Sequence, residues 1–75
     1  MSDDRPIAIE SSKMVEITYT NWKGQTSKRR ILPYCLWFGQ NEWHRQDQWL
    51  LNALDLDEQA IRDFAMKDIK DWRPV

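Results

Sequence analysis

The chain has 75 residues, which is the size of one small domain. Its 11 Lys and Arg are balanced by 12 Asp and Glu, so the net charge of −1 gives no overall attraction to nucleic acid or to an anionic membrane. A single cysteine excludes an intrachain disulfide, and the longest apolar run, Tyr34 to Phe38, is too short to cross a membrane. We therefore expect a cytoplasmic protein without a membrane partner.

Residues 1–12 are polar and acidic and hold no apolar segment. Such a segment is neither a signal peptide nor an anchor, and it lacks the apolar spacing needed for packing. The sequence predicts a disordered tail over 1–12 and one domain over 13–75.

Residues 14–20 alternate apolar with polar side chains and are rich in β-branched and aromatic types. This pattern predicts a half-buried strand whose Val15, Ile17 and Tyr19 face inward. Gly24 follows in a short polar segment and supplies the positive φ of a hairpin loop.

The hairpin partner is predicted over 26–32, and Pro33 interrupts it. Because proline cannot donate a ladder hydrogen bond, we place Pro33 at an edge or a bend, with 34–38 continuing beyond it. Trp37 lies in this apolar continuation and is predicted in the core.

A polar loop is predicted over 39–47, and strands over 48–55 and 59–66 follow it. The last residues, 66–72, predict a short helical turn that packs Ile69 over one end of the sheet. The strand over 48–55 is apolar on both faces, with Trp49 in the core, and closure of the sheet would explain that. The fold class is therefore mainly all-β, as a small antiparallel barrel with a short C-terminal helical turn.

Enzyme signatures are absent: there is no Gly-x-Ser-x-Gly, no phosphate-binding glycine loop and no His-Glu-x-x-His. One His and one Cys cannot form a structural zinc site, and the acidic turn 55–58 lacks the glycine of a calcium loop. We expect these carboxylates to face solvent, Cys35 to be a small buried apolar residue, and the protein to be a non-enzyme without metal or cofactor.

A basic and aromatic surface is the candidate binding site. Arg29 and Arg30 lie in one predicted strand, and Arg62 stands two residues from Phe64 in another, so a cation and a ring share one face. Arginines on neighbouring strands can bind one phosphate, with two hydrogen bonds from each guanidinium. We predict that Arg30 and Arg62, with Arg29 as a third candidate, hold phosphates.

Rings in polar loops extend this surface. Trp22 is predicted at a hairpin tip and Trp43 in the long loop, where each ring either covers the core or stacks on a base. His44 is either a loop-packing residue or a ligand contact. We predict that Trp43, His44 and Gln48 contact a base or a sugar.

Four short segments carry a family resemblance: Ile17-x-Tyr19, Arg30-x-x-Pro33, Trp49-Leu50-Leu51-x-Ala53-x-Asp55, and Arg62-x-Phe64 followed by Asp68-Ile69. In this order and spacing, over residues 14–69, they resemble the WYL domain, a family named for a Trp-Tyr-Leu tripeptide. The block from Phe38 to Leu51 is similar to that of short stand-alone WYL-like proteins.

The resemblance implies a small SH3-like (Sm-like) β-barrel of bacteria and phages, which regulates transcription or defence by sensing ligands through basic residues. Two positions depart from the family pattern. Leu50 replaces the central Tyr, and Ala65 replaces a second Arg that commonly follows the Phe, which removes a hydroxyl and a guanidinium from the ligand pocket.

The predicted function is a non-enzymatic regulatory module that binds a nucleotide or single-stranded nucleic acid. The alternative is a protein-interaction module, in which exposed tryptophans and a strand edge form a homodimer or dock onto a partner protein. Salt separates the two, since phosphate contacts weaken steeply with ionic strength and an apolar interface does not.

Overall fold

A computed structural model describes residues 7–9, 13–42 and 44–75. The described chain forms one antiparallel sheet of six strands: β1 Ile7–Ala8, β2 Val15–Thr20, β3 Thr26–Gly39, β4 Gln48–Asp55, β5 Ala60–Ala65 and β6 Ile69–Pro74. The strand order is β5-β4-β3-β2-β6, and β1 pairs with β3 outside this path. The four predicted strands are confirmed as β2 to β5.

The C-terminal segment differs from the predicted helical turn. A 3-10 turn is formed only by Met66–Asp68, and the chain then continues as β6, which pairs with β2 from Val15↔Pro74 to Tyr19↔Ile69. Ile69 does pack against the core, as predicted. The sequence of β6 does not alternate between apolar and polar residues, so it does not predict a strand. No alternation is needed there, because nearly all residues of β6 are exposed at the edge of the sheet.

Two residues of the N-terminal segment lie in a short strand. Ile7 and Ala8 form β1 and pair with Leu36 and Cys35 of β3. Two residues are too few to show a period of two, so the sequence gives no strand signal there. Ile9 follows β1 and packs against the core. The remaining residues of the predicted tail, 1–6 and 10–12, lie outside the described residues.

The main core cluster lies on one face of the sheet, and Leu50 and Ala65 are buried on the other face. Val15, Ile17 and Tyr19 of β2 are buried, as their alternation predicts. They pack with four further buried residues: Ile31, Leu51, Ala53 and Phe64. Each of these strands therefore turns one row of side chains inward.

Tyr19 and Phe64 show that the sheet is curled. Their rings meet edge to face with centroids 4.9 Å apart, and the Ala65 backbone N–H donates to the Tyr19 hydroxyl at 3.2 Å. Tyr19 lies on β2 and Phe64 on β5, which are separated in the sheet by β3 and β4. Such contacts form only if the sheet bends back on itself.

No pairing joins β5 to β6, the two ends of the strand order, within the described part of the chain. The all-β antiparallel class is confirmed. β3 runs through Pro33, so the predicted interruption of the strand is wrong. The β3–β4 register does shift between Pro33 and Cys35, where the bend was predicted. Cys35 is only partly buried, so it is not the fully buried residue expected.

Two tryptophans expected in the core lie elsewhere. Trp49 is 45% exposed and meets Phe38 edge to face at 5.4 Å. It lies near the start of β4, beyond Leu51, which is the last core residue on that face of the strand. Trp37 is partly buried, and its indole N–H donates to Asp63 at 3.0 Å. The alternation predicts the face on which a ring lies, but it does not locate the end of the core.

Candidate functional site

One cavity of about 320 Å³ opens between β2, β3, β5 and three connecting segments. Charged, aromatic and amide side chains line it: Tyr19, Asn21, Trp22, Arg29, His44, Glu58, Arg62, Asp63 and Phe64. Three of the six predicted site residues, Arg29, His44 and Arg62, therefore come together at one place.

Arg29 is fixed in the cavity wall by its neighbours. It pairs with Ile17 across the β2–β3 ladder, so its side chain follows the inward row of β2. Its Nη1 donates to Asp55 Oδ2 at 2.9 Å, and its Nε donates to Ser27 Oγ at 3.1 Å. About a quarter of the side chain stays exposed.

Arg30 does not line the cavity, which corrects the predicted pairing of Arg30 with Arg62. Adjacent residues of a strand point to opposite faces, so the Arg30 side chain lies on the face of β3 opposite to that of Arg29. Arg30 instead forms an exposed ion pair with Asp57, in which Nη2 donates to Oδ1 at 2.7 Å and Nε at 3.2 Å. The hydrogen bond from Arg30 lowers the pKa of Asp57 below its usual value.

Asp55 is fully buried behind the cavity, although the sequence predicts a solvent-facing carboxylate. Its Oδ2 accepts from Arg29, and its Oδ1 accepts from the backbone N–H groups of Asp57 at 3.1 Å and Glu58 at 3.3 Å. A buried carboxylate needs this many donors to offset its lost hydration. Asp55 therefore fixes the arginine wall and the adjoining turn together.

Arg62 is the more accessible of the two cavity arginines. Its side chain is half exposed, and its Nε lies 3.8 Å from Asp55 Oδ2. That ion pair is its one polar side-chain contact with a described residue. Arg62 and Phe64 both line the cavity, which agrees with the predicted cation and ring on one face.

His44 reaches the cavity because Asn41 shapes the loop between β3 and β4. Asn41 Oδ1 accepts from the His44 backbone N–H at 2.7 Å, and the Asn41 N–H donates to the His44 carbonyl at 2.9 Å. Asn41 Nδ2 in turn donates to Asp63 Oδ2 at 3.4 Å. The loop is thereby tied to β5, and the imidazole is placed in the cavity wall.

Asp63 is a cavity residue that the sequence analysis missed. Besides the Asn41 contact, its Oδ1 accepts from the Trp37 indole N–H and from Asn52 Nδ2 at 3.1 Å. An aspartate is unfavourable in a strand unless its carboxylate is satisfied. The sequence signal for a role of Asp63 was the presence of an acidic residue between Arg62 and Phe64 in a predicted strand.

The tip between β2 and β3 carries Trp22 into the cavity wall. Asn21 shapes this turn, since its Oδ1 accepts from the backbone N–H groups of Lys23 at 2.9 Å and Gln25 at 3.0 Å. Gly24 has φ of 81°, as a tip glycine is expected to have. Trp22 is 63% exposed, with Lys23 Nζ 5.3 Å from its ring centroid.

Of the other predicted contact residues, Gln48 is not in the cavity wall. Gln48 begins β4, and its Nε2 donates to the Gln46 carbonyl at 3.0 Å. Trp43 lies outside the described residues. Within the described ranges, no group of three His, Cys, Asp or Glu could hold a metal ion, and no helix is long and apolar enough to cross a membrane.

A family model for the WYL domain matches residues 7–74, which is nearly the whole chain. The chain belongs to the WYL domain family. WYL domains occur in regulators that bind ligands or nucleic acids. Neither the curated proteins nor the solved structures contain a match to this chain.

The two departures from the WYL pattern have a structural role. Leu50 and Ala65 are both fully buried and face each other across β4 and β5. A tyrosine hydroxyl or a guanidinium at these buried positions would need a polar partner. Among the described residues, the cationic groups of this WYL domain's cavity are those of Arg29 and Arg62.

Proposed function

We propose that this WYL domain is a non-enzymatic regulatory module that binds a phosphate-bearing nucleotide, or a nucleotide of a single-stranded nucleic acid, in the cavity. The observation that carries the proposal is the convergence of two arginines with two rings, Trp22 and His44, around one opening. Guanidinium groups bind phosphate through paired hydrogen bonds, and rings stack on bases.

The two arginines have different roles in this proposal. Arg29 is held by Asp55 and Ser27, so it offers a preorganised guanidinium at little entropic cost. Arg62, with its weaker contact to Asp55, is free to turn toward a ligand oxygen. His44 supports the same use, because its imidazole makes no polar contact with a described residue and can stack or hydrogen-bond.

We also propose that the curled sheet is an SH3-like barrel. The 3-10 turn Met66–Asp68 joins β5 directly to β6, which are the two ends of the strand order, and the Tyr19–Phe64 contact draws β2 toward β5. NMR contacts between the backbones of β5 and β6 beyond the 3-10 turn are expected. An open sheet would show none.

Titration with nucleoside monophosphates and a short oligonucleotide at low salt tests the binding function. Because Trp22 lies in the cavity wall, the intrinsic tryptophan fluorescence should change when a ligand binds there. Arg62→Ala should weaken binding by about 1.5–3 kcal/mol, and Arg62→Lys should restore it only in part, because lysine lacks the two-pronged geometry. Raising the salt concentration should weaken binding of the wild type.

Arg73→Ala is the matched control, since Arg73 is an exposed arginine of β6 that pairs with Asp71 and is not in the cavity wall. It removes the same charge and should leave affinity nearly unchanged. Binding weaker than millimolar at low salt, or an equal loss in Arg73→Ala and Arg62→Ala, would contradict the proposal.

A second candidate function, protein interaction, is favoured by the exposed aromatic pair Phe38 and Trp49. Exposed aromatic rings are enriched at protein interfaces. This function predicts a dimer or complex that persists at high salt and is lost in Trp49→Ala. Sedimentation across protein and salt concentrations distinguishes it from phosphate binding.

A further inference from the structure

Acidic groups share the cavity wall with the two arginines. Among the described residues, Glu58 and Asp63 line it together with Arg29 and Arg62, so the formal charges of these four cancel. Asp55 adds a further negative charge behind Arg29. A wall of this kind is poorly matched to a polyanion, and it suits a ligand with one phosphate and a group of hydrogen-bond donors.

The two acidic residues of the wall differ in availability. The Asp63 carboxylate already accepts hydrogen bonds from Trp37, Asn41 and Asn52. The Glu58 carboxylate forms no hydrogen bond and no ion pair with any residue that the structure describes. Glu58 is therefore the acidic side chain of the wall that remains available to a ligand.

Asp55 fixes Glu58 relative to the arginines. Asp55 Oδ1 accepts from the Glu58 backbone N–H at 3.3 Å, while Oδ2 accepts from Arg29 at 2.9 Å. The buried carboxylate of Asp55 thus contacts both the Arg29 guanidinium and the backbone of Glu58. An acceptor whose backbone is anchored beside a phosphate site can discriminate among ligands.

We infer that Glu58 selects a guanine base, so that the cavity takes a guanosine monophosphate with its phosphate on Arg29 and Arg62. This inference rests on the proposed function and adds the class of base. An ionised carboxylate only accepts hydrogen bonds, and it binds best to two adjacent N–H donors. Guanine presents such a pair at N1 and N2.

The other bases lack this pair of donors. Adenine and cytosine place a ring-nitrogen acceptor beside the amino group, and uracil places carbonyl oxygens on both sides of its single N–H. Each of these acceptors would face the Glu58 carboxylate without a donor between them, and two acceptors in contact reduce affinity.

The test compares GMP, IMP, AMP and UMP by tryptophan fluorescence and calorimetry at low salt, with inorganic phosphate as a fifth ligand. Wild type should bind GMP about tenfold or more tightly than AMP or UMP, as expected for hydrogen bonds to a charged group. IMP, which lacks the N2 amino group, should be intermediate. Glu58→Gln should lower GMP affinity about tenfold and leave UMP nearly unchanged.

Glu16→Gln is the matched control, because Glu16 lies on β2, 4.0 Å from Lys28, and is not in the cavity wall. It should leave the preference intact. Equal affinities for all four nucleotides in wild type would overturn the inference and leave the proposed function standing. An equal gain for all four in Glu58→Gln would also overturn it, because the carboxylate would then merely repel phosphate. If neither nucleotides nor inorganic phosphate bind, the proposed function itself fails.

Discussion

Arg29 and Asp55 form an ion pair beneath the cavity, with 2.9 Å between Nη1 and Oδ2 and the carboxylate fully buried. The pair joins β3 to the end of β4, and it places a guanidinium where the sheet curls. Removing the charge of Asp55 should therefore affect both stability and the shape of the cavity.

Asp55→Asn should lower the free energy of unfolding by about 1.5–3 kcal/mol, because an amide keeps an acceptor for the turn but loses the charge-assisted bond to Arg29. Urea unfolding followed by fluorescence measures the change. Asp71→Asn, which breaks an exposed pair with Arg73, should change the stability little, because solvent screens that pair. Equal effects of the two substitutions would contradict the role given to Asp55.

Tyr19→Phe should destabilise the fold by about 1–3 kcal/mol, because it leaves the Ala65 N–H without its acceptor. Ala65 is fully buried, so water cannot replace the hydroxyl. Tyr34→Phe removes an equivalent hydroxyl from an exposed ring and should be nearly neutral. A small effect of Tyr19→Phe would mean that the Ala65 N–H finds another partner.

The same tyrosine predicts an alkaline pH dependence. Burial raises the pKa of Tyr19 above its usual value of 10.0. The unfolded chain then loses this proton more easily than the folded one, so the stabilisation is complete below about pH 10 and is lost as the pH rises further. Unfolding of wild type should become easier above about pH 10, and Tyr19→Phe should flatten that slope.

Leu51→Ala should cost about 2–5 kcal/mol, as a buried leucine does, whereas Trp49→Ala should cost about 1 kcal/mol or less. The two residues lie on the same face of β4, two positions apart, so they differ mainly in burial. Thermal melting compares them directly. A larger loss in Trp49→Ala would show that the exposed Phe38–Trp49 pair is part of the core or of an interface.

Asp63→Ala should loosen the loop that carries His44, because three donors lose their acceptor. Amide hydrogen exchange at His44 and Asn41 should become faster, and the Trp37 indole N–H should shift in NMR spectra. Asp47→Ala removes an exposed carboxylate of the same loop, whose one described contact is with Gln40, and should leave His44 exchange nearly unchanged.

The strands and their inward rows follow from the sequence. The alternation of Val15, Ile17 and Tyr19, the glycine at the hairpin tip and the bend at Pro33 are local properties, set by the period of the pleat and by backbone sterics. The resemblance to the WYL domain also rests on the order of such local segments, and the family match bears it out.

Which charges meet was decided only by the tertiary structure. The sequence offers Lys28, Arg29 and Arg30 as one basic run, but strand geometry sends Arg29 to the cavity and Arg30 to Asp57. Asp63 and the buried Asp55 gained their partners from strands or loops distant in the sequence. Ion pairs of this kind depend on how the sheet curls, and no periodicity of a single strand encodes that curl.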